Sequence, residues 1–515
     1  MLCRRFYLSR MSLFKGFYRA GNWKELHTHR KVRPPMGLWQ RTATNVGWTT
    51  LSQAFTVGLC QIVLLVLASI LSPRDFGVYA ACAVVNTVLV QLSTFGLDYA
   101  VVNSEGDWRR VVSTGTLLRI TLSVVGIGVV IILAGWLSEF FEIDNLELPM
   151  ILASSAALVI ALAFPPQMEL TKNLRFRQLS ISRIFGSITW SVVALLLASI
   201  GWSYWSLIIA SVSSQLAILV GVFLLSSQGF TVGFEKQTGR KLLRFGGVTT
   251  AGLFLVFLAG NLDKFVVGAL KGPELFGIYW AMYIYGTFAP SWLTGVINTV
   301  MFPTYSILRE KPDSLRRAYS DTLRYVSNFS APISMGLAGG SSLFVLVLLG
   351  ERWEEGVASL TLLSIAGYFM SMTSPAGNVF ISIGKPELIF RITLAFLVPM
   401  VPLLILAGFE YGIVGVSAVI LGHESAKCLY VIHRAGHLTG INASTMLKSI
   451  LPSVAAGVLA GLIVLATYEL IGVSALALVL AGALGALTYL VAGNLFSKGM
   501  LLVDIREGIR AIRNR

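Results

Sequence analysis

Charged residues are scarce in this chain. They make up 13% of its 515 residues, whereas hydrophobic residues make up 55% and the mean hydropathy is +0.75. Soluble domains carry about 25% charged residues, so this composition excludes an assembly of soluble domains. It predicts a protein that resides in a lipid bilayer.

Cysteines and the short motifs of catalysis are also few or missing. The chain has four cysteines and no CxxC pair, so neither a disulfide framework nor a metal site is predicted. It contains no Walker phosphate-binding sequence, nucleophile elbow or HExxH motif. The sequence therefore predicts a protein that is not an enzyme and that needs no cofactor.

Alternating strands of about ten residues, which a membrane β-barrel needs, are missing as well. Continuous apolar runs are present instead, and a helix needs about 20 apolar residues to cross a hydrocarbon core of about 30 Å. We predict an all-α polytopic membrane protein with about fourteen transmembrane helices. Their windows are 46–71, 76–98, 112–137, 147–166, 179–200, 202–226, 245–270, 276–300, 324–349, 356–383, 386–408, 412–433, 449–471 and 474–496.

Lysine and arginine are nearly absent from one set of the loops between these windows. If the N-terminus is cytoplasmic, the outer loops hold only Arg74, Lys271 and Arg352 of the 40 basic residues. Cytoplasmic loops retain positive charge, so both termini are predicted to be cytoplasmic. Topology and contact with anionic membrane lipids then explain the net charge of +15, and nucleic acid is not predicted as a partner.

A seven-residue motif occurs twice, as PRDFGVY at 73–79 and as PELFGIY at 273–279. The offset of 200 residues places the first window on the seventh and the second on the eighth, so the repeated unit has six spans. An even number of spans preserves orientation, which makes the repeats parallel. Two parallel six-helix repeats forming two lobes predict a cleft that opens to either side in turn, as in a carrier rather than a channel.

The windows and the repeat divide the chain into segments. Residues 1–35 are either a mis-assigned start before Met36 or a real basic tail. The predicted segments are a basic cytoplasmic N-terminal segment (1–45), an N-terminal six-helix lobe (46–226), a cytoplasmic linker between the lobes (227–244), a C-terminal six-helix lobe (245–433), two extra helices (449–496) and a basic amphipathic cytoplasmic tail (497–515).

Each copy of the motif lies in the short outer connection between the first two spans of its lobe. A structural role is predicted, in which proline ends a helix, phenylalanine fills the space between helix ends, glycine permits close packing and tyrosine anchors at the interface. These residues are Pro73, Phe76, Gly77 and Tyr79 in the first copy and Pro273, Phe276, Gly277 and Tyr279 in the second.

Longer stretches around both copies resemble a known family. They are LASILSPRDFGVYA, FGLDYAVV, PPQMELTKNLRFRQL, NLDKFVVGALKGPELFGIYW and PAGNVFISIGKPEL, within residues 36–500. Together, in this order, they are similar to the polysaccharide transporters, or Wzx-type flippases, of the multidrug/oligosaccharidyl-lipid/polysaccharide exporter superfamily. The similarity departs at Ser69, where relatives often carry a basic residue, so no anion-binding role is carried over to that position.

The resemblance implies a V-shaped bundle of two lobes plus two C-terminal helices in a bacterial inner membrane. It implies transport of an oligosaccharide on undecaprenyl diphosphate from the inner to the outer leaflet, for capsule, exopolysaccharide or O-antigen biosynthesis. A polysaccharide polymerase and a chain-length regulator are the implied protein partners.

Ionisable side chains within the windows are the candidates for a transport path, because each costs about 2.5–3.5 kcal/mol at the bilayer centre. The predicted residues for binding the diphosphate are the cations Arg119, Lys264 and Lys427. The alternative is that they form local ion pairs or snorkel to the interface. The predicted charge partners or ion-coupling residues are Asp98, Asp263, His423 and Glu424.

Other functions stay open on the sequence alone. A multidrug efflux antiporter of the same superfamily is the main alternative, and it should place carboxylates in a lobe cavity to bind cationic drugs. A peptidoglycan-precursor flippase would handle the same carrier diphosphate. A membrane polymerase or glycosyltransferase should have a large extramembrane loop, for which the predicted outer loops are too short.

Overall fold

A computed structural model of the chain contains helices and no strand among the residues it describes. The described residues are 36–102, 104, 107–227, 233–290, 301, 304–504 and 506, without the side chains of 36–46, 248, 249, 251, 253 and 443. The predicted segment 1–35 therefore lies outside the described residues, as do part of the linker, part of the eighth window and most of the C-terminal tail.

The first half of the chain folds into eight described helices. They are α1 Met36–Ile70, α2 Pro73–Thr94, α3 Leu97–Val102, α4 Trp108–Phe140, α5 Glu147–Leu162, α6 Phe164–Lys172, α7 Phe176–Ser199 and α8 Trp205–Leu225.

The second half also contains eight described helices longer than one turn. They are α9 Lys236–Ala259, α10 Leu262–Leu270, α11 Gly272–Gly286, α12 Pro312–Gly339, α13 Val357–Ser382, α14 Glu387–Thr439, α15 Ala443–Ile471 and α16 Ala475–Phe496. A helical turn (Ser341–Leu343), a π-helix (Phe344–Leu349) and a 3₁₀-helix (Glu351–Gly356) connect α12 to α13.

The described helices make this a multi-pass membrane protein, but they do not reproduce the predicted count of fourteen spans. Nine described helices are long and apolar enough to cross a membrane, or up to eleven if each of two bent pairs is one span. The pairs bend by 43° between α5 and α6 and by 70° after α12. The fourteen-span, two-lobe arrangement stays a prediction.

Two local features account for part of the difference. The windows 386–408 and 412–433 both lie in the segment α14, which consists of two helices that meet at a kink at Gly412, where the backbone is non-helical (φ 60°, ψ −145°). The window 245–270 is split between α9 and α10, since the helix breaks at Gly260 and Asn261. The first region is therefore two helices that are counted as one span, and the second is a single predicted window that the backbone interrupts.

The two proline corners begin helices, whereas the sequence analysis expected proline to end them. Pro73 is in the first turn of α2, and Ser72 and Asp75 close a capping box there, with the Ser72 amide 2.8 Å from the Asp75 carboxylate. Proline suits this position because the first amides of a helix have no intrahelical acceptor. Pro273 is the second residue of α11, which has no side-chain cap.

The two halves of the chain share one hydrophobic core, in which α2 packs against α11. Phe76, Phe141 and Leu207 from the first half belong to the same buried cluster as Phe276 and Trp353 from the second. At the other end of the second half, α15 packs against α12 and α16. The contact between α2 and α11 therefore decides how the two predicted lobes meet.

Candidate functional site

The two copies of the repeated motif pack directly against each other. A Cβ atom added to Gly77 on α2 would lie 1.7 Å from the carbonyl oxygen of Pro273. A Cβ atom added to Gly277 on α11 would lie 1.9 Å from the carbonyl oxygen of Pro73. Only glycine permits such a close approach, so each copy needs a glycine because the other copy is its partner. We call this contact between residues 73–79 and 273–279 the corner.

Buried aromatic rings surround the corner. The ring of Phe76 lies 5.1 Å from that of Trp353 and 6.1 Å from that of Trp280, and Phe276 stacks on Phe141 at 6.1 Å. Each such pair contributes about 0.5–1.5 kcal/mol beyond burial of its area. The corner therefore joins the two halves through a tightly packed apolar layer.

The hydroxyl groups of the two corner tyrosines make polar contacts within the protein. Tyr279 is fully buried and its hydroxyl donates a hydrogen bond of 2.6 Å to Asp263 on α10. The hydroxyl of Tyr79 lies 3.1 Å from the hydroxyl of Ser211 on α8. Equivalent tyrosines thus support different polar contacts in the two halves.

A cavity of about 450 Å³ lies beside the corner. Helices α1, α2, α7 and α8 of the first half line it, together with Trp280 and Ile284 of α11. Tyr79 and Trp280, whose rings are 5.4 Å apart, line the cavity next to the corner. Its lining on α1 runs from Ser52 to Leu64, which is about 18 Å of helix. The cavity is thus lined by both halves of the chain.

Among the described residues that line the cavity, Arg183 on α7 is the only charged one. It has no hydrogen bond, ion pair or ring contact with any described residue. By contrast Arg177, on the same helix, lies over the ring of Trp48 at 5.1 Å. The cavity therefore offers an unpaired positive charge and, within its described lining, no negative one.

Arg183 is not among the predicted cations within spans, although the predicted window 179–200 contains it. Arg183 lies seven residues after Phe176, where α7 begins, and that distance is roughly 10 Å along the helix. A complete count of basic residues within the windows would have found it. Only the fold shows that it is unpaired.

Arg119, a predicted substrate-binding residue, forms an ion pair within the first half. Its guanidinium donates to Asp98 at 2.6 Å and to the hydroxyl of Thr94 at 3.2 Å, and it lies 5.0 Å from the ring of Phe164. The Arg119 side chain is 6% exposed and that of Asp98 is 40% exposed. This pair combines a buried cation with a partly exposed carboxylate.

Lys264, the second predicted cation, is buried beside its neighbour Asp263. Its ammonium group lies 3.4 Å from the Asp263 carboxylate, donates to the carbonyl of Gly260 at 3.0 Å and sits 3.5 Å from the ring centroid of Tyr283. The side chains of Lys264 and Asp263 are 8% and 1% exposed. Both charges are neutralised locally, which fits the predicted alternative of an ion pair.

Lys427, the third predicted cation, donates to the carboxylate of Glu424 one helical turn away on α14. His423 lies 3.7 Å from the same carboxylate and packs edge-on against Phe396. Tyr283 of α11 is close enough to interact electrostatically with both Asp263 and Glu424. The fold thus brings the charged residues of α10 and α14 to one region of the second half.

The structure does not gather all seven predicted charged residues into one site. Asp98 and Arg119 form one pair in the first half, and the others belong to the second half. No group of three His, Cys, Asp or Glu residues that could hold a metal ion occurs among the described residues.

Comparison with known proteins relates the chain to polysaccharide biosynthesis proteins. The sequence profile of a family described as "Polysaccharide biosynthesis protein" matches residues 66–358. The lipopolysaccharide biosynthesis protein WzxC of Escherichia coli strain K12 is 24% identical over 391 residues, which cover 74% of this chain and 78% of WzxC.

Two solved structures share the fold at low sequence identity. The lipid II flippase MurJ, in an inward closed conformation, superposes with a TM-score of 0.72 at 13% identity, covering 88% of this chain and 99% of MurJ. A multidrug resistance MATE family transporter of the MOP superfamily, in an inward-facing conformation, gives 0.58 at 13% identity, covering 76% and 96%. At these identities the likeness concerns the fold alone.

Proposed function

Because this chain belongs to the polysaccharide biosynthesis protein family, we propose that it is a flippase for a lipid-linked polysaccharide precursor. Its cargo is an oligosaccharide on undecaprenyl diphosphate, moved across the bacterial inner membrane by alternating access. The family and its structural neighbours are transporters and flippases, so the chain is not an enzyme.

The position of the cavity is the observation that carries this proposal. The cavity is lined by both halves of the chain and ends beside the corner, where the two halves touch most closely. A carrier that exposes its site to one side at a time needs such a seal on the other side. Separation of the two corner copies would then open the cavity toward that face.

The distribution of basic residues supplies the proposed orientation. Among the predicted loops on the same side of the membrane as the corner, the only basic residues are Arg74, Lys271 and Arg352. The other basic residues of the predicted loops lie on the opposite side. The corner therefore faces the periplasm and both termini face the cytoplasm, by the rule that cytoplasmic loops retain positive charge. In this orientation the conformation described above is closed to the periplasm.

In this proposal the three predicted cations lie beside the transport path. Each of them releases its acidic partner and binds the diphosphate headgroup as the headgroup passes. Each has an acidic partner in the present conformation, so a diphosphate must compete with a carboxylate for it, and the carboxylate displaces the anion again after release. The pairs are Arg119 with Asp98, Lys264 with Asp263 and Lys427 with Glu424.

A multidrug antiporter is the second candidate, because the MATE transporter shares the fold. Carriers of cationic drugs should place a carboxylate in the cavity. The described lining of this cavity holds Arg183 and no carboxylate, which favours an anionic cargo. Fold alone does not select between the two functions.

Leaflet distribution of the precursor tests the proposed function. Cells that lack the protein are expected to accumulate undecaprenyl-diphosphate oligosaccharide in the inner leaflet, and wild-type protein should restore export. Normal lipid distribution combined with altered sensitivity to cationic dyes would reject the flippase and support the antiporter. A failure of polymer assembly with normal leaflet distribution would place the defect in the polymerase or chain-length regulator instead.

A further inference from the structure

Arg183 is the starting point, because an unpaired cation within a membrane span needs an anion. A charged side chain in a span costs about 2.5 kcal/mol or more unless it finds a partner or water. Two basic side chains that precede Arg183 in the chain have aromatic partners, since Arg177 lies over the ring of Trp48 and Lys172 lies over the ring of Trp108. Arg183 has no protein partner among the described residues and lines the cavity, so its partner is expected to be a ligand.

A second, independent observation concerns the other polar side chains that line the cavity. The amide side chains of Gln53 and Gln215 line the cavity, and neither makes a hydrogen bond to a described residue. The hydroxyl of Thr56, also in the lining, is buried without a partner. Buried polar groups are normally hydrogen-bonded, so the Thr56 hydroxyl indicates a polar ligand at this place, and the exposed Gln53 and half-buried Gln215 offer further donors and acceptors to it.

Several other hydroxyl groups in the cavity lining, unlike these groups, have hydrogen-bond partners in the protein. The hydroxyl of Ser52 lies 3.0 Å from the carbonyl of Thr49 and 3.2 Å from the hydroxyl of Ser180, Ser187 donates to the carbonyl of Ile184, and Ser214 donates to the carbonyl of Gly186. The hydroxyl hydrogens of these serines therefore have acceptors within the protein. The free donors and acceptors are concentrated on Arg183, Gln53, Gln215 and Thr56.

Two indole rings complete the chemistry of the cavity. Trp190 on α7 and Trp280 on α11 both line it, and an indole offers a flat apolar face together with one N–H donor. This combination suits a sugar ring, which has an apolar C–H face and a polar rim. The volume of about 450 Å³ lies within the range of small-molecule sites, about 300–1,000 Å³, so it suits a headgroup rather than a long chain.

We propose that this cavity is the headgroup site of the cargo, with Arg183 binding the diphosphate and Gln53, Thr56 and Gln215 hydrogen-bonding the sugar attached to it. A guanidinium can bind phosphate oxygens with two parallel hydrogen bonds. The proposal rests on the proposed function and names the residues that recognise its substrate. It assigns specificity for the first sugar to the first half of the chain.

Cys60 provides a reporter for this site, because it lines the cavity whereas Cys82 and Cys428 are buried. The experiment uses the full chain with Cys3→Ser, purified in lipid nanodiscs, and measures the rate at which N-ethylmaleimide labels Cys60. The probes are inorganic pyrophosphate, undecaprenyl diphosphate and undecaprenyl-diphosphate glucose. Each is titrated for its ability to protect Cys60.

Arg183→Gln is expected to raise the half-protective concentration of undecaprenyl diphosphate and of its glucosylated form by about tenfold or more, the effect of one hydrogen bond to a charged group. Arg183→Lys should lose less, because it retains the charge. Arg177→Gln is the matched control: it removes the same charge from the same helix outside the cavity and should change protection less than about twofold. Gln53→Ala and Gln215→Ala should weaken only the glucosylated probe, by about three- to tenfold each.

Several results would overturn the proposal. Unchanged protection of Arg183→Gln by undecaprenyl diphosphate would exclude Arg183 from the headgroup site and leave the flippase function standing. An equal loss of protection in Arg177→Gln would show that the effect of Arg183→Gln comes only from the change in net charge. Equal protection by inorganic pyrophosphate and undecaprenyl diphosphate would assign the site to a free anion. Protection of the wild type by ethidium and by none of the lipid diphosphates would reject the proposed function itself.

Discussion

The two halves of the chain repeat their packing and differ in their charges. The corner glycines occur in both halves at an offset of 200 residues, and each meets the backbone of the other copy. At the same offset, however, Lys264 of the second half corresponds to the apolar Leu64 of the first. Each corner glycine is constrained because it packs against the other copy of the motif. The charge of Lys264 has no such counterpart at Leu64.

The charged residues of the two halves also have different surroundings. The first half leaves Arg183 unpaired at a cavity, whereas the second half buries Lys264 between Asp263 and Tyr283. Arg119 of the first half is paired as well, with Asp98. The difference between the halves is therefore the additional unpaired cation at the cavity, which supports the proposal that the first half contributes a headgroup site.

The corner offers the largest expected effect, because it is the feature that both halves share. Gly77→Ala places a methyl group 1.7 Å from the Pro273 carbonyl oxygen, where ordinary contacts begin at 3.4 Å. The copies must therefore move apart by about 2 Å, with a stability loss above the about 1–3 kcal/mol typical of overpacking. Spin labels at Arg74→Cys and Glu274→Cys, measured by electron paramagnetic resonance, should report the increased distance, together with loss of export.

Gly277→Ala is expected to give the same change as Gly77→Ala, because the contact is mutual. Gly58→Ala is the matched control, since nothing lies within 4 Å of a Cβ atom at that position, and alanine there should be neutral or stabilising by up to about 1 kcal/mol. An unchanged label distance in both corner variants would refute the role of the corner as a seal.

The buried pair of the second half comes next in size. Asp263→Asn leaves Lys264 buried without a counter-charge and weakens the hydrogen bond from Tyr279. Loss of one partner of a buried pair costs about 3–5 kcal/mol. Here we expect about 2–3 kcal/mol, because Lys264 keeps the Gly260 carbonyl and the ring of Tyr283. Thermal unfolding in detergent measures the change.

The double variant Asp263→Asn/Lys264→Met serves as the control for this prediction. It removes both charges and should recover most of the lost stability, because the cost lies in the isolated charge. If the double variant is as unstable as the single one, then Asp263 matters for its hydrogen bond to Tyr279 and not for its pairing with Lys264.

The smallest expected effect belongs to the pair in the first half, and it should be asymmetric. Asp98→Asn leaves the buried Arg119 without its counter-charge and should cost about 1–2 kcal/mol. Arg119→Gln leaves Asp98, which is 40% exposed, free to be solvated and should cost less than about 1 kcal/mol. Thermal unfolding of the two variants compares them. The reverse order would indicate that Asp98, not Arg119, depends on the pair.

Sequence patterns predicted the class of the protein well and its detailed path poorly. Apolar runs located helices such as α7 and α8 within a few residues, because burial in lipid requires about 20 consecutive apolar residues. The windows 386–408 and 412–433 also meet near the kink at Gly412, but the window 245–270 missed the helix break at Gly260 and Asn261. Such interruptions depend on what packs against the helix, and hydropathy does not record that.

The candidate residues, too, were predicted only in part. Charge within an apolar window identified Arg119, Lys264 and Lys427, yet the windows could not tell a paired cation from a free one. Arg183 was passed over, although its charge was visible in the same way. The pairing of Tyr279 with Asp263 crosses two helices and was also invisible in sequence.

By itself, the sequence determined that this is an all-helical membrane protein of the polysaccharide transporter type, built on a repeated motif with a glycine at its centre. It could do so because hydropathy, charge distribution and repetition are properties of the chain alone. Tertiary structure decided that Gly77 and Gly277 meet each other, that Lys264 is neutralised and that Arg183 faces a cavity. These facts depend on which helices come together, and contact between distant segments exists only once the chain has folded.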